Sequence, residues 1–418
     1  MKKMLIAFGL TAALASSLLA KTVVEIAYPY PFLFKHVHQE LKEKFEKQNP
    51  DIEVKVRPGA EDYEDATQKV LRDSITNRMP DISFQGLNRF RIFVDKGLAV
   101  DLAPFIKNDP KMSEKGFNES MYAAGRFGEH VYGIPFAVSL PIAYYNMDLV
   151  KKAGWDVNHL PNTWEEVIAL SKKINALKIE NKYGMAFQWD ITGNWLFQAL
   201  NFSQGGKLLS DDEKKVAFTS PIGRWSMATF QKFFTEAGMP NRLRKVNRAD
   251  FINGNVGVMF NSTSDLFKVS KAIGDKFKLK THQFPGVISR YGHLPAGGNG
   301  PLMLTKDPEK QKAAWKVIKF WCGPEGSKVV AKNTGYMPPN QLGAQELVKE
   351  GFYENNPNNY TAVEELPLMT KWYAFPGDNA LKITEVIYKA MQSIADGSEK
   401  DSDKVVDDIA AKIEKLIK

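Results

Sequence analysis

Two prolines interrupt the most strand-like stretch of the chain, and that constrains the fold more than any other feature. The stretch is "HVYGIPFAVSLPIAYYN", His130 to Asn146. Val131, Ile134, Phe136, Val138, Ile142, Tyr144 and Tyr145 all favour extended backbone. Pro135 and Pro141 lie among them, and proline has no N–H to give to a central ladder. One continuous buried strand is therefore excluded. A chain that leaves one sheet, crosses a gap and enters a second sheet tolerates proline in the crossing and is stiffened by it. "PGVISRYGHLPAGG" and "NTGYMPPN" have the same mixed character. Three such crossings would tie two discontinuous lobes together around a cleft.

The flanking patterns agree with α/β blocks on either side. "TVVEIAY" reads as a strand, and "FKHVHQELKEKFEKQNP" as an amphipathic helix with Val37, Leu41 and Phe45 on one face. "IEVKVRPG" alternates, "EDYEDATQKVLRDSITNRM" is a second helix, and "PDISFQG" a short buried strand. This order implies a mainly parallel, doubly wound sheet. After the proline-bearing stretch a second block begins with a capping box in "NTWEEV", Thr163 with Glu166. The C-terminal third is mostly helical. At 418 residues the chain suits two domains of ordinary size. The expected division is a signal segment at 1–20, one lobe from 21–135 with 296–332, and a second from 136–295 with 333–418.

Lys2 and Lys3 precede an apolar run, "MLIAFGLTAALASSLLA", that ends in small residues. It reads as a secretory signal cleaved after Ala20, with an uncleaved anchor as the alternative. Cys322 is the only cysteine, which excludes an internal disulfide, a multi-cysteine metal site and a lipid-modified N-terminus. A secreted chain without a tether needs a retaining compartment, and a Gram-negative periplasm is the expectation. The net charge is +8 with both signs interleaved, so no nucleic-acid partner is expected. The one basic run, "NRLRKVNR", reads as an ordinary exposed loop and helix start. The six histidines lack metal-ligand spacing, and no cofactor or metal is expected.

"FEKQNPDIEVKV", "MPDISF", "YGIPFAVSLPIAYYNMDLVKKAGW", "PNTWEEV", "FINGNVGVMFNSTS", "AWKVIKFW" and "NTGYMPPN" together resemble the extracellular solute-binding proteins of ABC importers. "GFYENNPNN" and the helical tail are similar to the sugar and glycerol-3-phosphate subgroup. The resemblance implies a periplasmic binding protein-like fold, two α/β lobes closing on a ligand at three hinge crossings. It implies no catalysis, no cofactor, and a monomer that delivers a small solute to the transmembrane subunits of a permease.

It also implies ligand-binding positions. Tyr28 and Tyr30 in "AYPYP" and Tyr63 in "EDYEDA" match family aromatics, with packing on the first helix as the alternative for Tyr28 or Tyr30. Ser139 lies on the first crossing, where it would meet a ligand or satisfy the crossing's own backbone. Trp189, Asp190 and Trp195 in "FQWDITGNW" suggest a stacking platform, Trp195 being alternatively the core face of a helix. Ser262 and Ser264 follow a buried strand, Gly297 and Gly298 allow close approach to backbone, and Tyr336 sits on the third crossing. Leu87 stands where the glycerol-3-phosphate binders carry an acidic residue, and Ala374 near their phosphate-binding arginine. Both departures favour a neutral sugar, or a bulkier ligand with an apolar or quaternary-ammonium part, over glycerol-3-phosphate. The rival class is a secreted carbohydrate hydrolase, which would need paired carboxylates such as Asp190 and Asp378 across a cleft.

Overall fold

A computed structural model describes residues 21–288 and 290–417, so the expected signal segment lies outside the described residues. Two sheets organise them. Strands β1 (Thr22–Ala27), β2 (Ile52–Val56) and β3 (Ile82–Gly86) are joined through helices α1 (Pro31–Gln48) and α2 (Tyr63–Ile75). They form a parallel trio in the order β2-β1-β3. Val37, Leu41 and Phe45 are the buried face of α1, as their spacing requires.

The prolines resolve as a change of sheet. Strand β4 (Ala137–Ser139) belongs to the first sheet, and β5 (Pro141–Asn146) to the second. Pro141 is the first residue of its strand, where a missing N–H costs least. Leu140 bridges the two ladders: its carbonyl accepts from Thr263 N–H at 3.0 Å.

The second sheet has the order β8-β5-β7-β6, with β6 (Tyr183–Phe187), β7 (Val256–Ser262) and β8 (Leu279–His282). Helix α3 (Trp164–Ala176) packs on it, opened by the capping box of Thr163 and Glu166. Trp164 sits among Phe187, Phe233, Phe260 and Phe284, ring centroids 4.8–5.9 Å away, and anchors this core. The chain then returns as β9 (Gly297–Met303), antiparallel to both β3 and β4. The first sheet is thus mixed rather than mainly parallel, because its returning strand enters from the opposite lobe. The second sheet is mixed too: β5 runs against both neighbours, and only β6 and β7 are parallel.

The first and third passages fall at different residues from those expected, while the second keeps its expected place. The first lies at Leu140 rather than after Pro135, since Ala137–Ser139 pairs with β9. Ala296 marks the second: Leu294–Pro295 pairs with Met369–Thr370, and the next strand begins at Gly297. "NTGYMPPN" touches both sides, Gly335 N–H reaching Ser264 and Met337 N–H reaching Val138. Helix α4 (Gln341–Lys349) then packs on the preceding helix Pro324–Asn333, and Asn340 donates to the Lys115 carbonyl. The chain rejoins the second lobe only near Asn358, whose side chain meets Thr281 of β8. Residues 341–349 therefore sit with the first lobe, held there by a helical hairpin. The C-terminal helices Ala380–Ala395 and Ser402–Glu414 close against helix Pro221–Thr235 of the second lobe.

Candidate functional site

The ends of β4, β7 and β9 and the N-termini of α1 and α2 meet between the two lobes. Proline on both sides of Tyr30 turns the chain there, and Tyr30 takes a left-handed conformation (φ 52°) at the start of α1. This aims its ring at Tyr63, edge-on at 4.9 Å. Tyr63 OH lies 3.4 Å from Tyr336 OH and accepts from the Asn299 amide at 3.3 Å. From the second lobe, Trp195 donates its indole N–H to the Pro295 carbonyl at 3.0 Å. Trp372 completes the ring set, 5.9 Å from Tyr63 and 6.2 Å from Trp195.

These rings, with Phe32, Ser139, Ser262, Ser264 and Asp265, enclose an inner chamber of only ≈ 30 Å³. Burial pushes the Tyr336 phenol up to about 12 and raises Tyr30 and Tyr63 further. All three are neutral hydroxyls at physiological pH, able to donate or accept. Gly297 and Gly298 form part of the wall. A Cβ at Gly297 would lie 2.6 Å from the Ser139 hydroxyl and 2.9 Å from the Trp195 ring. Gly298 has φ +116°, a conformation reserved for glycine, and a Cβ there would meet the Ala137 carbonyl at 1.9 Å.

A wider cavity of ≈ 400 Å³ adjoins the chamber and shares Tyr30, Ile191, Thr192 and Arg244 with it. Asp62, Glu64, Asp190 and Glu385 contribute carboxylates. Each has a commitment. Asp62 caps α2; Glu64 accepts from Arg89 and from the Thr192 hydroxyl across the cleft; Glu385 pairs with Lys389. Asp190 takes the Arg244 backbone N–H at 2.9 Å on both oxygens, and burial raises its pKa.

Arg244 is the exception. Its neighbours Arg242 and Arg248 are ion-paired with Asp250 and Asp265. The Arg244 guanidinium instead lies over the Tyr30 ring at 6.0 Å and makes no ion pair within 4.0 Å among the described residues.

Of the positions singled out from sequence, the fold brings Tyr30, Tyr63, Ser139, Trp195, Ser262, Ser264, Gly297, Gly298 and Tyr336 to the inner chamber, and Asp190 to the adjoining cavity. Two lie elsewhere. Tyr28 packs on His38 at 4.6 Å, inside the first lobe. Trp189 is core rather than platform: it lines neither the chamber nor the adjoining cavity and packs on Tyr388 at 5.2 Å and Phe230 at 6.2 Å. The strand register explains this, since Gln188 N–H still joins Phe260 and holds the following ring beneath the sheet end. Asp190 and Asp378 share no cavity, Asp378 being exposed and paired with Lys96.

Sequence reasoning missed Arg244, Trp372, Asn261 and Asp265, which all line the chamber. The basic run carrying Arg244 was visible, but nothing local marks one of its four cations as cleft-facing; Asp190, far away in sequence, pulls the helix start inward. Among the described residues no group of His, Cys, Asp and Glu is placed to hold a metal ion, and no helix is long and apolar enough to cross a membrane.

The family model of bacterial extracellular solute-binding proteins matches residues 40–361. A putative binding protein of Brucella abortus is 26% identical over 421 residues, covering 97% of this chain and 96% of its own. Two solved structures share the fold. UgpB of Mycobacterium tuberculosis in complex with glycerophosphocholine has a TM-score of 0.83 at 20% identity, covering 95% of this chain and 98% of that one. An ABC substrate-binding protein of Listeria monocytogenes in complex with cycloalternan has a TM-score of 0.82 at 21% identity, covering 95% and 99%.

Proposed function

Because the chain belongs to the bacterial extracellular solute-binding proteins, we propose that it captures a sugar or polyol-type solute between its lobes. It then presents that solute, as a monomer, to the transmembrane subunits of an ABC importer. The observation that carries this reading is the composition of the inner chamber. Tyr30, Tyr63 and Tyr336 face Trp195 and Trp372, and the hydroxyls of Ser139, Ser262 and Ser264 stand at the edges. Ring faces take the C–H faces of a sugar or polyol, and edge hydroxyls take its O–H groups. The reading places the protein in a Gram-negative periplasm, reached through a cleaved signal at its N-terminus. It assigns no catalytic step, and the split of Asp190 and Asp378 favours binding over glycoside hydrolysis.

Arg244 favours a second reading, a solute that carries phosphate, such as glycerol-3-phosphate or a glycerophosphodiester. An unpaired guanidinium at the junction of the two cavities is a strong partner for a phosphate oxygen. It occupies a different place in the chain from the arginine missing at Ala374.

A thermal-shift screen over monosaccharides, oligosaccharides, polyols and phosphodiesters tests both. A solute at ~100 times its dissociation constant stabilises the folded state by about 2.7 kcal/mol, which a melting curve resolves. Hits confined to phosphate-bearing solutes select the second reading, and a silent panel refutes both.

A further inference from the structure

Among the described residues, Arg244 is the one charged residue that lines both the inner chamber and the wider cavity. It is the first residue of helix Arg244–Ile252, where the helix field disfavours a cation. The first turn of that helix holds no acidic residue to offset the charge. We propose that Arg244 sets the specificity of the cleft, and that the solute is an acidic sugar bearing a single carboxylate, such as a uronate. The proposal rests on the reading of the protein as a sugar binder and narrows it to one charge class.

The ion pairs around the site leave one positive charge to be matched. At the chamber, Asp265 is held by Arg248 at 3.2 Å and by the Asn261 amide at 2.8 Å. In the wider cavity, Glu64 is held by Arg89, and Glu385 by Lys389 at 2.7 Å. Lys382 lines only the wider cavity and is exposed. Arg244 is therefore the cation left at the junction, and a half-buried guanidinium without a counter-charge is costly in a closed cleft. A carboxylate supplies one negative charge and matches the planar guanidinium with two parallel N–H···O bonds. A phosphate monoester carries about −1.5 to −2 at pH 7, and its excess would face Asp62, Glu64 and Asp190 in the same cavity.

The geometry sets that charge beside a sugar ring. Both oxygens of Asp190 accept from the Arg244 backbone N–H at 2.9 Å, which fixes the backbone without using the guanidinium. The guanidinium lies over the Tyr30 ring at 6.0 Å, and Tyr30 also walls both cavities. A uronate carries its carboxylate one bond from the pyranose ring, so a pyranose packed on Tyr30 brings the carboxylate to Arg244. The wider cavity, at ≈ 400 Å³, has room for that ring.

The test measures dissociation constants at pH 7 for two sets that each share one ring. The first is glucose, glucuronate and glucose 1-phosphate; the second is galactose, galacturonate and galactose 1-phosphate. In wild type, one uronate should bind tenfold or more tighter than its neutral partner and tighter than its phosphate. Arg244→Gln should bring that uronate-to-neutral ratio to threefold or less. Arg244→Lys keeps the charge but not the planar fork, and should lose most of the ratio. Melting curves without solute show whether each variant folds, and the wild-type ratio decides the matter if neither does. If the neutral sugar binds as tightly as its uronate, or if the ratio survives in folded Arg244→Gln, the assignment is refuted while the sugar reading stands. If a phosphate binds tightest, the acidic-sugar class is refuted in favour of a phosphate-bearing solute. If no member of either set binds wild type, this proposal and the sugar reading fall together.

Discussion

Arg91 and Glu213 meet across the cleft in a two-pronged ion pair, with both N···O contacts at 2.7 Å. Arg91 lies in the short helix Phe90–Asp95 of the first lobe, and Glu213 on a turn of the second. Tyr373 OH adds a third bond to the same carboxylate. Both ionic side chains are part-exposed, so the pair contributes on the order of 1 kcal/mol to closure rather than several. Glu213→Gln should shift the protein toward the open form. Small-angle scattering without solute should then give a larger radius of gyration for the variant than for wild type. Superimposable profiles would show that the pair does not govern closure.

The same pair has a predictable pH dependence. The Arg91 hydrogen bond holds the Glu213 carboxyl below its ordinary value. A depressed carboxylate contributes fully above the unfolded value near 4.5 and loses its contribution as pH falls below that. Closure measured by scattering should therefore be unchanged from pH 8 to 5 and weaken only below it. Weakening between pH 7 and 6 would assign closure to another group.

His38 predicts an acid-sensitive fold. It is buried beneath Phe84 and Phe136 and accepts the Trp321 indole N–H at 3.0 Å. Burial lowers its pKa to about 3. The unfolded chain binds this proton near pH 6.5, so stability is complete above that and falls as pH drops toward the folded value, by about 2 kcal/mol at pH 5. His38→Asn keeps an acceptor near Nδ1 and removes the titration. Denaturant melts at pH 7 and 5 should show a smaller difference for the variant; an equal difference would exonerate His38.

Two tryptophans six residues apart should behave oppositely. Trp189 belongs to the second-lobe core, so Trp189→Ala should cost about 3–5 kcal/mol of stability. Trp195 walls the chamber, so Trp195→Phe should weaken solute binding tenfold or more with a far smaller loss of stability. Melting curves and titrations of the two variants decide this, and a binding loss confined to Trp189 would restore the platform expected from sequence.

That contrast shows how much of the site was legible. Pro135 and Pro141 announced a change of sheet because proline's missing N–H is a local property. Gly297, Gly298, Ser262 and Ser264 were found because strand ends are marked locally by small and polar residues. Trp189 and Trp195 look alike in sequence, and only strand register and helix phase send one into the core and the other to the chamber. Arg244 and Trp372 reach the site through partners distant in sequence, Asp190 and Gln198, and no pattern within either segment reports that. The passage at Leu140 was displaced from the expectation for a similar reason: Ala137–Ser139 has a partner only because β9 returns beside it.

Calorimetric titration of the sugar, polyol and phosphodiester panel into wild type, Trp195→Phe and Arg244→Gln tests the central claim most directly. The claim is that one polyhydroxylated solute binds between the lobes, where the chamber opens into the adjoining ≈ 400 Å³ cavity. It predicts 1:1 binding of at least one solute class to wild type and a loss of tenfold or more in Trp195→Phe. It further predicts a comparable loss in Arg244→Gln if the bound solute carries phosphate, and a smaller one if it is neutral. A solute that binds wild type and both variants with equal affinity would place the site elsewhere in the molecule and contradict the account.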